Sequence, residues 1–437
     1  MVAAFFLGTI IRYLLGNKKD RIIISDLFGK FSYRYNEKEK NRFSIILTLF
    51  NKSLQCLWQP AQQPTDNTTA TILVYDGKNE FNTRQRYLHY ILNEPYAYIW
   101  RQKLAGTMSI GARLAFSLFL IALLPVFLII ALFKENRAAC GLVLLELVEC
   151  KMLSRSLRSL PKVQNVIIFA AYEKDVPFIA AFLINKHHLS VQLVPSSNPL
   201  KNFYTRGICT TFTFTAAFHV KEFDTLKQQW FYTSTTYWPP FGYEDVLPRL
   251  VSFRKPPPRT IGFFSSGNWL REKEGHVSLG LNERQAEKLL QLCLKEFILK
   301  HPQYTLVIFL HPLEKRNEQV LRQTRDYYGS LYGEKIQFAP IEQNSVSNFD
   351  LVDLGIAVYS STIFQRLFAG MKACFVPFDM PYNYFNDERL EKISIRNEAD
   401  FIDSLIAFSD MDTDSFISRY EMTDYTYRGY GYDIGKP

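Results

Sequence analysis

The chain lacks a metal-binding signature. Its six cysteines, Cys56, Cys140, Cys150, Cys209, Cys293 and Cys374, are scattered, and no Cys-x-x-Cys pair or Cys/His cluster has ligand spacing. That argues against a zinc module or a dithiol redox site. Cys293 and Cys374 lie in apolar segments and read as reduced core residues, which points to a cytosolic catalytic part. No Asp-x-Asp pair stands at a suitable strand end, so no metal site is expected. There is no short tandem repeat and no nucleic-acid-binding motif, so no nucleic-acid partner is expected. Residues 2–15 are apolar, but Arg12 interrupts them and they are too short to span a bilayer. Leu14–Lys19 makes a poor cleavage site, so this start reads as a short interfacial helix and not a signal peptide.

What is present is a globular composition, 47% hydrophobic and 21% charged, in a chain of 437 residues, long enough for two or three domains. The net charge of +9 is unevenly spread. Residues 1–162 carry 22 Lys and Arg against 11 Asp and Glu; residues 163–437 carry 29 against 31. The basic part also holds Leu114–Phe133, twenty residues without a charge and with Pro125 near the middle. Such a stretch is long enough to cross the hydrocarbon core once, or to enter it as a Pro-broken hairpin. Arg137–Leu160 follows with an apolar face and a basic face, as an interfacial helix would have. An anionic membrane surface is the expected partner of this region.

Before it, Thr71–Tyr75 reads as a strand, and Gln85–Leu92 and Tyr98–Leu104 as helices, in a small accessory segment. After it an α/β pattern begins. Val166–Ala171, Val191–Val194 and Thr210–Phe218 read as strands, with a helix over Val176–Ile184. A Pro-rich linker, Arg254–Arg259, precedes a second run. There Thr260–Phe264, Thr305–Leu310, Lys335–Phe338, Leu354–Tyr359 and Ala373–Phe378 read as strands. Asn282–Lys300, Glu318–Tyr328 and Asn397–Ser409 read as helices, and the tail from Tyr420 as irregular. The expected fold class is therefore α/β: two Rossmann-like domains facing a cleft, with an N-terminal membrane-associated segment. The expected boundaries are 1–112 accessory, 113–162 membrane-associated, 163–255 acceptor domain and 256–437 nucleotide-donor domain and tail.

In open α/β sheets ligands bind beyond the carboxyl ends of the strands. In the second half that rule selects Ser265, Ser266, Gly267 and Asn268, then His311 with Pro312, then Glu342, and then Ser360, Ser361 and Thr362. Ser and Gly let the backbone approach phosphate oxygens, and a helix start after Ser360 offers free N–H groups to an anion. In the first half Val166–Ala171 runs into Tyr172-Glu173-Lys174-Asp175, and Val191–Val194 into Pro195 and Ser196, Ser197 and Asn198. Glu173 and Asp175 are the candidates for a base that deprotonates an acceptor hydroxyl; Tyr172, Ser196, Ser197 and Asn198 are candidates for holding that acceptor. Each of these groups also has a plain reading as a cap or turn.

The layout of residues 163–409 resembles GT-B glycosyltransferases, the class with two Rossmann domains. His311-Pro312 followed by Ser360-Ser361-Thr362 resembles the His-Pro and Ser motifs of bacterial sialyltransferases and polysialyltransferases, which bind the CMP portion of the donor. Glycerol-phosphate transferases of wall-polymer synthesis share a similar Ser-Ser-Thr turn. The nearest match to the acidic-acidic-Gly motif of the sialyltransferases is Tyr75-Asp76-Gly77, with the first acid replaced and the apolar stretch still to come. Gln365 stands where the class often has a Glu for the ribose or sugar. The resemblance implies a membrane-associated, metal-independent, inverting glycosyltransferase at the cytoplasmic face of the inner membrane. It would move sugar from a nucleotide-sugar to a glycan or lipid-linked acceptor in bacterial surface polysaccharide synthesis, with no cofactor beyond the donor substrate. A CMP-sialic acid-type or CDP-glycerol-type transferase, and a non-catalytic nucleotide-binding or scaffolding module of the same system, are the alternatives.

Overall fold

The structure is a computed structural model. It describes residues 242–432 except 276–280, 379 and 381–386; before 242 it describes shorter segments that carry eight strands and one long helix. The described strands form two parallel sheets and one two-stranded pair.

The first sheet holds β1 (Ala70–Val74), β2 (Tyr96–Trp100), β3 (Asn165–Phe169), β4 (Ser190–Val194), β6 (Thr211–Phe214) and β8 (Ser234–Tyr237). β5 (Gly207–Ile208) and β7 (Trp230–Phe231) pair separately. The sheet order is β2-β1-β3-β4-β6-β8, parallel throughout. This corrects two expectations. The segment before the apolar stretch is not an accessory: β1 lies inside the sheet, between β2 and β3. Tyr98–Leu104 does not start a helix, because Tyr96–Trp100 is β2, aligned on β1 from Ala70–Tyr96 to Val74–Trp100. Tyr-Ala-Tyr-Ile-Trp is aromatic and β-branched, a composition that suits a pleated surface. The helical residues 86–89 pack Tyr87 and Leu88 against Ile167, Phe169 and Val194, with the Tyr87 ring edge-on to Phe169 at 6.0 Å.

The first long helix, α1 (Ile110–Leu132), contains Pro125. Arg113, Phe116, Ser117 and Leu120 are buried on one face, and Ile110, Leu114, Leu118 and Ile121 are exposed on another. Among the described residues no helix is long and apolar enough to cross a membrane. Of the expected amphipathic helix Arg137–Leu160, Met152 and Leu153 are described; both are helical and buried by protein. The rest of that segment lies outside the described residues.

The second sheet holds β9 (Thr260–Phe264), β10 (Thr305–Phe309), β11 (Ile336–Phe338), β12 (Leu354–Ala357) and β13 (Ala373–Phe375), in the order β11-β10-β9-β12-β13 and parallel throughout. β9, β10 and β12 are unbroken apolar runs because helices cover both faces of a parallel sheet. The helices of this body are α2 (Asn268–Lys273), α3 (Leu281–Lys300), α4 (Glu318–Tyr332) and α5 (Ser361–Phe368), followed by further helices toward the end of the chain. α3 buries Ala286, Leu290, Cys293, Leu294 and Phe297 at helical spacing. Asn317 starts α4 by accepting from Val320 N–H.

Two boundaries of this body differ from expectation. It starts before the Pro-rich linker: Tyr243 and Val246 are already in its core, and Tyr243 stacks on Phe368 at 4.1 Å. Its tail is packed: Met422 is fully buried and Tyr425 nearly so, and Tyr430 meets both Tyr243 and Phe368 edge-on. An apolar or aromatic residue beyond a proline run still returns to whatever core lies within reach. Gly242 is held at φ 94°, and its carbonyl accepts from Gln365 Nε2 at 3.0 Å; a Cβ there would stand 2.6 Å from that nitrogen.

Candidate active site

In a doubly wound sheet the crevice opens where the strand order reverses. In the second sheet that point lies between β9 and β12, whose chain neighbours β10 and β13 lie on opposite sides. A cavity of about 920 Å³ opens there. It is lined at the ends of β9, β10 and β12 by Ser265, Ser266, Asn268, His311, Ser360, Ser361 and Thr362, with Glu342 on the exposed rim. Gly267 is adjacent: at φ 67° it lies against the His311 ring, so that a Cβ would be 3.4 Å from His311 Cβ. The structure thus gathers the residues selected in the second half around one space. Glu173, Asp175, Tyr172, Ser196, Ser197 and Asn198 lie outside the described residues.

The serine turns differ in what they offer. Ser360 accepts from Thr362 N–H through its own hydroxyl at 3.2 Å and so caps α5. The N–H of Ser361, at the first position of the helix, has no acceptor within it. Ser361 is exposed and Thr362 half-buried, so their hydroxyls reach the cavity. The helix itself is pinned from behind. Arg366, fully buried, donates to the carbonyls of Lys372, Phe349, Val352 and Asp353 and lies over the Phe349 ring at 5.3 Å. Burial lowers its pKa to about 9. Gly355 on β12 makes room, since a Cβ there would come within 2.5 Å of Arg366 Cδ.

The Ser265–Asn268 turn is wired inward. Ser266 N–H donates to Glu287 Oε1 at 3.3 Å, Gly267 N–H to Ser265 Oγ at 3.0 Å, and Asn268 Nδ2 to Glu287 Oε2 at 2.7 Å. The expectation that this turn presents its amides to a phosphate is therefore corrected for Ser266 and Gly267. A buried carboxylate takes up one donor and the turn's own hydroxyl the other.

His311 begins a one-turn helix, Pro312–Lys315, as its cap. Its Nδ1 accepts from Leu313 N–H at 3.2 Å, so the ring proton resides on Nε2. Its own N–H donates to Glu314 Oε2 at 2.8 Å. Burial, with the charge of Arg271 beside it, lowers its pKa to about 4. The imidazole is neutral at physiological pH and acts as a hydrogen-bond donor.

Four charged residues of the cavity lining, Arg271, Glu283, Lys315 and Asp245, were not singled out by the sequence. Arg271 of α2 lines the cavity; among the described residues it has no carboxylate partner, and its Nε is buried without an acceptor. Lys315 donates to the carbonyls of Ile341 and Gln343, each at 2.9 Å, and so holds the loop that carries Glu342. Asp245 lines the opposite side and meets Arg86 of the first body at 3.5 Å. Beside it, Glu244 accepts from Gly242 N–H at 2.7 Å, and burial raises its pKa to about 7. Arg271 sits one helical turn beyond Gly267. Only its unpaired state in the fold marks it, and no sequence signal carries that.

No protein-family model matches the chain, and no curated protein matches it in sequence. Solved structures similar in fold include the UDP-GlcNAc 2-epimerase of Methanocaldococcus jannaschii in complex with UDP-GlcNAc and UDP. The identity is 10% and the TM-score 0.41, over 79% of this chain and 94% of that one. The apo structure of OtsA is similar at 11% identity and a TM-score of 0.42, over 84% and 99%. A Thermobaculum terrenum O-GlcNAc transferase mutant is similar at 9% identity and a TM-score of 0.38, over 90% and 71%. Likenesses this distant do not fix a reaction.

Proposed function

We propose that the cavity binds the anionic leaving group of a nucleotide-sugar and that the protein is an inverting GT-B-type glycosyltransferase. One observation carries this reading. An unpaired cation (Arg271), a neutral imidazole donor (His311) and an open helix start (Ser361) face one cavity at the reversal point of a parallel sheet. Each favours negative charge, and their sum suits a phosphate group. In transfer, an acceptor hydroxyl loses its proton to a base and attacks the anomeric carbon. The bond from that carbon to the phosphate oxygen breaks, and the oxygen keeps the electron pair. Nε2–H of His311, the N–H and the hydroxyl of Ser361 and the guanidinium of Arg271 then hold the charge that has developed.

The base would come from the first body. The reversal point of the first sheet lies between β1 and β3. The chain leaves these strands at Val74 and Phe169. Asp76 follows two residues after the first, and Glu173 and Asp175 follow shortly after the second, so all three are candidates. Tyr172 and Ser196–Asn198 remain the proposed acceptor contacts. Glu342, an acceptor-only group on the rim, suits a sugar hydroxyl and not a phosphate.

The acceptor is proposed to be a lipid-linked or surface glycan reached at an anionic membrane on its cytoplasmic side. The basic excess of residues 1–162 and the exposed stripe Ile110, Leu114, Leu118 and Ile121 support that placement.

The test is a thermal-shift screen of the full chain against UDP, GDP, CDP and CMP, since a ligand of the folded state raises the melting temperature. At least one is expected to raise it, and His311→Ala and Ser361→Ala each to abolish the rise. A rise that survives both substitutions means the nucleotide binds elsewhere.

A further inference from the structure

Behind the Ser265 and His311 turns lies a set of polar groups that the proposed transfer does not use. Glu287 of α3 and Glu314, three residues after His311, are 2% and 0% exposed. Glu287 accepts from Ser266 N–H and Asn268 Nδ2; Glu314 accepts from His311 N–H and, on Oε1, from the Trp269 indole. Two hydroxyls link the carboxyls in series. Ser265 Oγ lies 3.4 Å from Glu287 Oε1 and 2.9 Å from Tyr328 Oη, which lies 3.0 Å from Glu314 Oε1.

Three oxygen–oxygen contacts in series require three hydrogens. The two hydroxyls supply one each. The amide and indole donors reach this chain from outside and cannot fill a gap within it. With both carboxylates ionised, only two hydrogens would serve the three contacts, and two buried negative charges would stand behind the turns with no salt bridge among the described residues, which is costly in a low-dielectric interior. We infer that Glu287 and Glu314 share one proton at neutral pH, through Ser265 and Tyr328, and that they act as a positioning pair for the Ser265–Asn268 and His311 turns. The consequence for ligand binding rests on the donor-site reading above; the shared proton does not.

Burial agrees in direction: it raises Glu287, with the charge of Glu314 added, to about 7, and it raises Glu314 as well. The titratable groups around the pair are the phenols of Tyr327, Tyr328 and Tyr332 on α4, all pushed upward, and the neutral His311. The charged residues nearest along the same elements are Arg271 and Glu272 on α2 and Glu283 and Arg284, one turn before Glu287 on α3. Burial alone and proton sharing differ in one respect. Removing the Tyr328 hydroxyl makes the surroundings less polar, so burial alone would hold the carboxyl proton to a higher pH. Sharing predicts the reverse, because a broken series no longer needs the third hydrogen.

The experiment follows the protonated-carboxyl band of glutamic acid by infrared spectroscopy from pH 5 to 9 in the full chain, with Glu244→Gln in every sample to remove the other carboxyl raised to about 7, in that otherwise wild-type chain, Tyr328→Phe and, as a second variant, Ser265→Ala. Wild type is expected to keep a band worth one carboxyl at pH 6.5, and both variants to lose it at least one pH unit lower than wild type does. The His311 ring resonance, read by NMR in the same samples, is expected to move at the pH where each band disappears, as a positioning role requires. Absence of the band in wild type at pH 6.5 overturns the inference, and so does a band that persists to the same or a higher pH in the variants. A His311 signal indifferent to its loss overturns the positioning role. Melts of these samples with UDP, GDP, CDP and CMP separate the two readings: a wild type with the band and no melting shift from any of the four defeats the donor-site reading alone.

Discussion

Two serine turns border the same cavity and are built in opposite senses. The turn at Ser265–Asn268 spends Ser266 and Gly267 N–H and the Asn268 amide on Glu287 and on its own hydroxyl. The turn at Ser360–Thr362 closes one capping bond and leaves Ser361 facing the space. Each is anchored from below by fully buried ionisable groups, the first by two carboxyls and the second by a guanidinium. The sense of the anchor follows from what it must satisfy. Carboxyls take up N–H donors, while Arg366 donates to carbonyls where the chain enters β12 and β13. Serine content alone therefore does not identify an anion site; the direction of the amides does.

The comparison is broken most forcefully at its anchors. Arg366→Leu removes the guanidinium that donates to the carbonyls of Phe349, Val352, Asp353 and Lys372, and a stability loss of about 3–5 kcal/mol is expected in urea unfolding. Next come the turns themselves. Ser265→Ala removes the acceptor of Gly267 N–H and should lower stability by about 1–3 kcal/mol. Ser361→Ala should leave the melting temperature nearly unchanged and abolish the nucleotide-induced rise. If both serines behave alike, the two turns are not opposed.

Arg271→Ala is expected to raise stability slightly or leave it unchanged, because it removes a cation with no counter-charge, and to reduce nucleotide affinity at least tenfold by titration calorimetry. Arg271→Lys should recover part of that affinity. The smallest effect is on pH. Burial and the charge of Arg271 hold the His311 pKa at about 4 in the fold, below its ordinary value of 6.5. Between those values the unfolded chain binds the proton and the folded one does not. The stability His311 contributes is thus intact above pH 6.5 and is lost as pH falls toward 4. His311→Asn should remove that acid-side loss in melts from pH 7 to 4.5; an unchanged slope would mean the ring is not neutral in the fold.

Much of the second body was legible in the sequence. Continuous apolar runs such as Thr305–Phe309 and caps such as Asn317 and Ser360 are local signals, and local signals survive folding. The first body was less legible. Tyr96–Trp100 carries strand chemistry, but its partner Ala70–Val74 is recognisable as such only once the two are paired. The fate of Tyr243 and Val246 depended on a core assembled far along the chain.

The sequence by itself determined which residues stand at strand ends, where helices start, and that the basic charge gathers in the first 162 residues, because each depends on neighbours a few positions away or on simple count. The tertiary structure alone decided that β1 lies inside the first sheet, that Arg271 faces the cavity with no carboxylate partner among the described residues, and that Glu287 and Glu314 meet behind it. Pairing of amides, charges and protons is set by groups distant along the chain, and only the fold brings those within a hydrogen bond of one another.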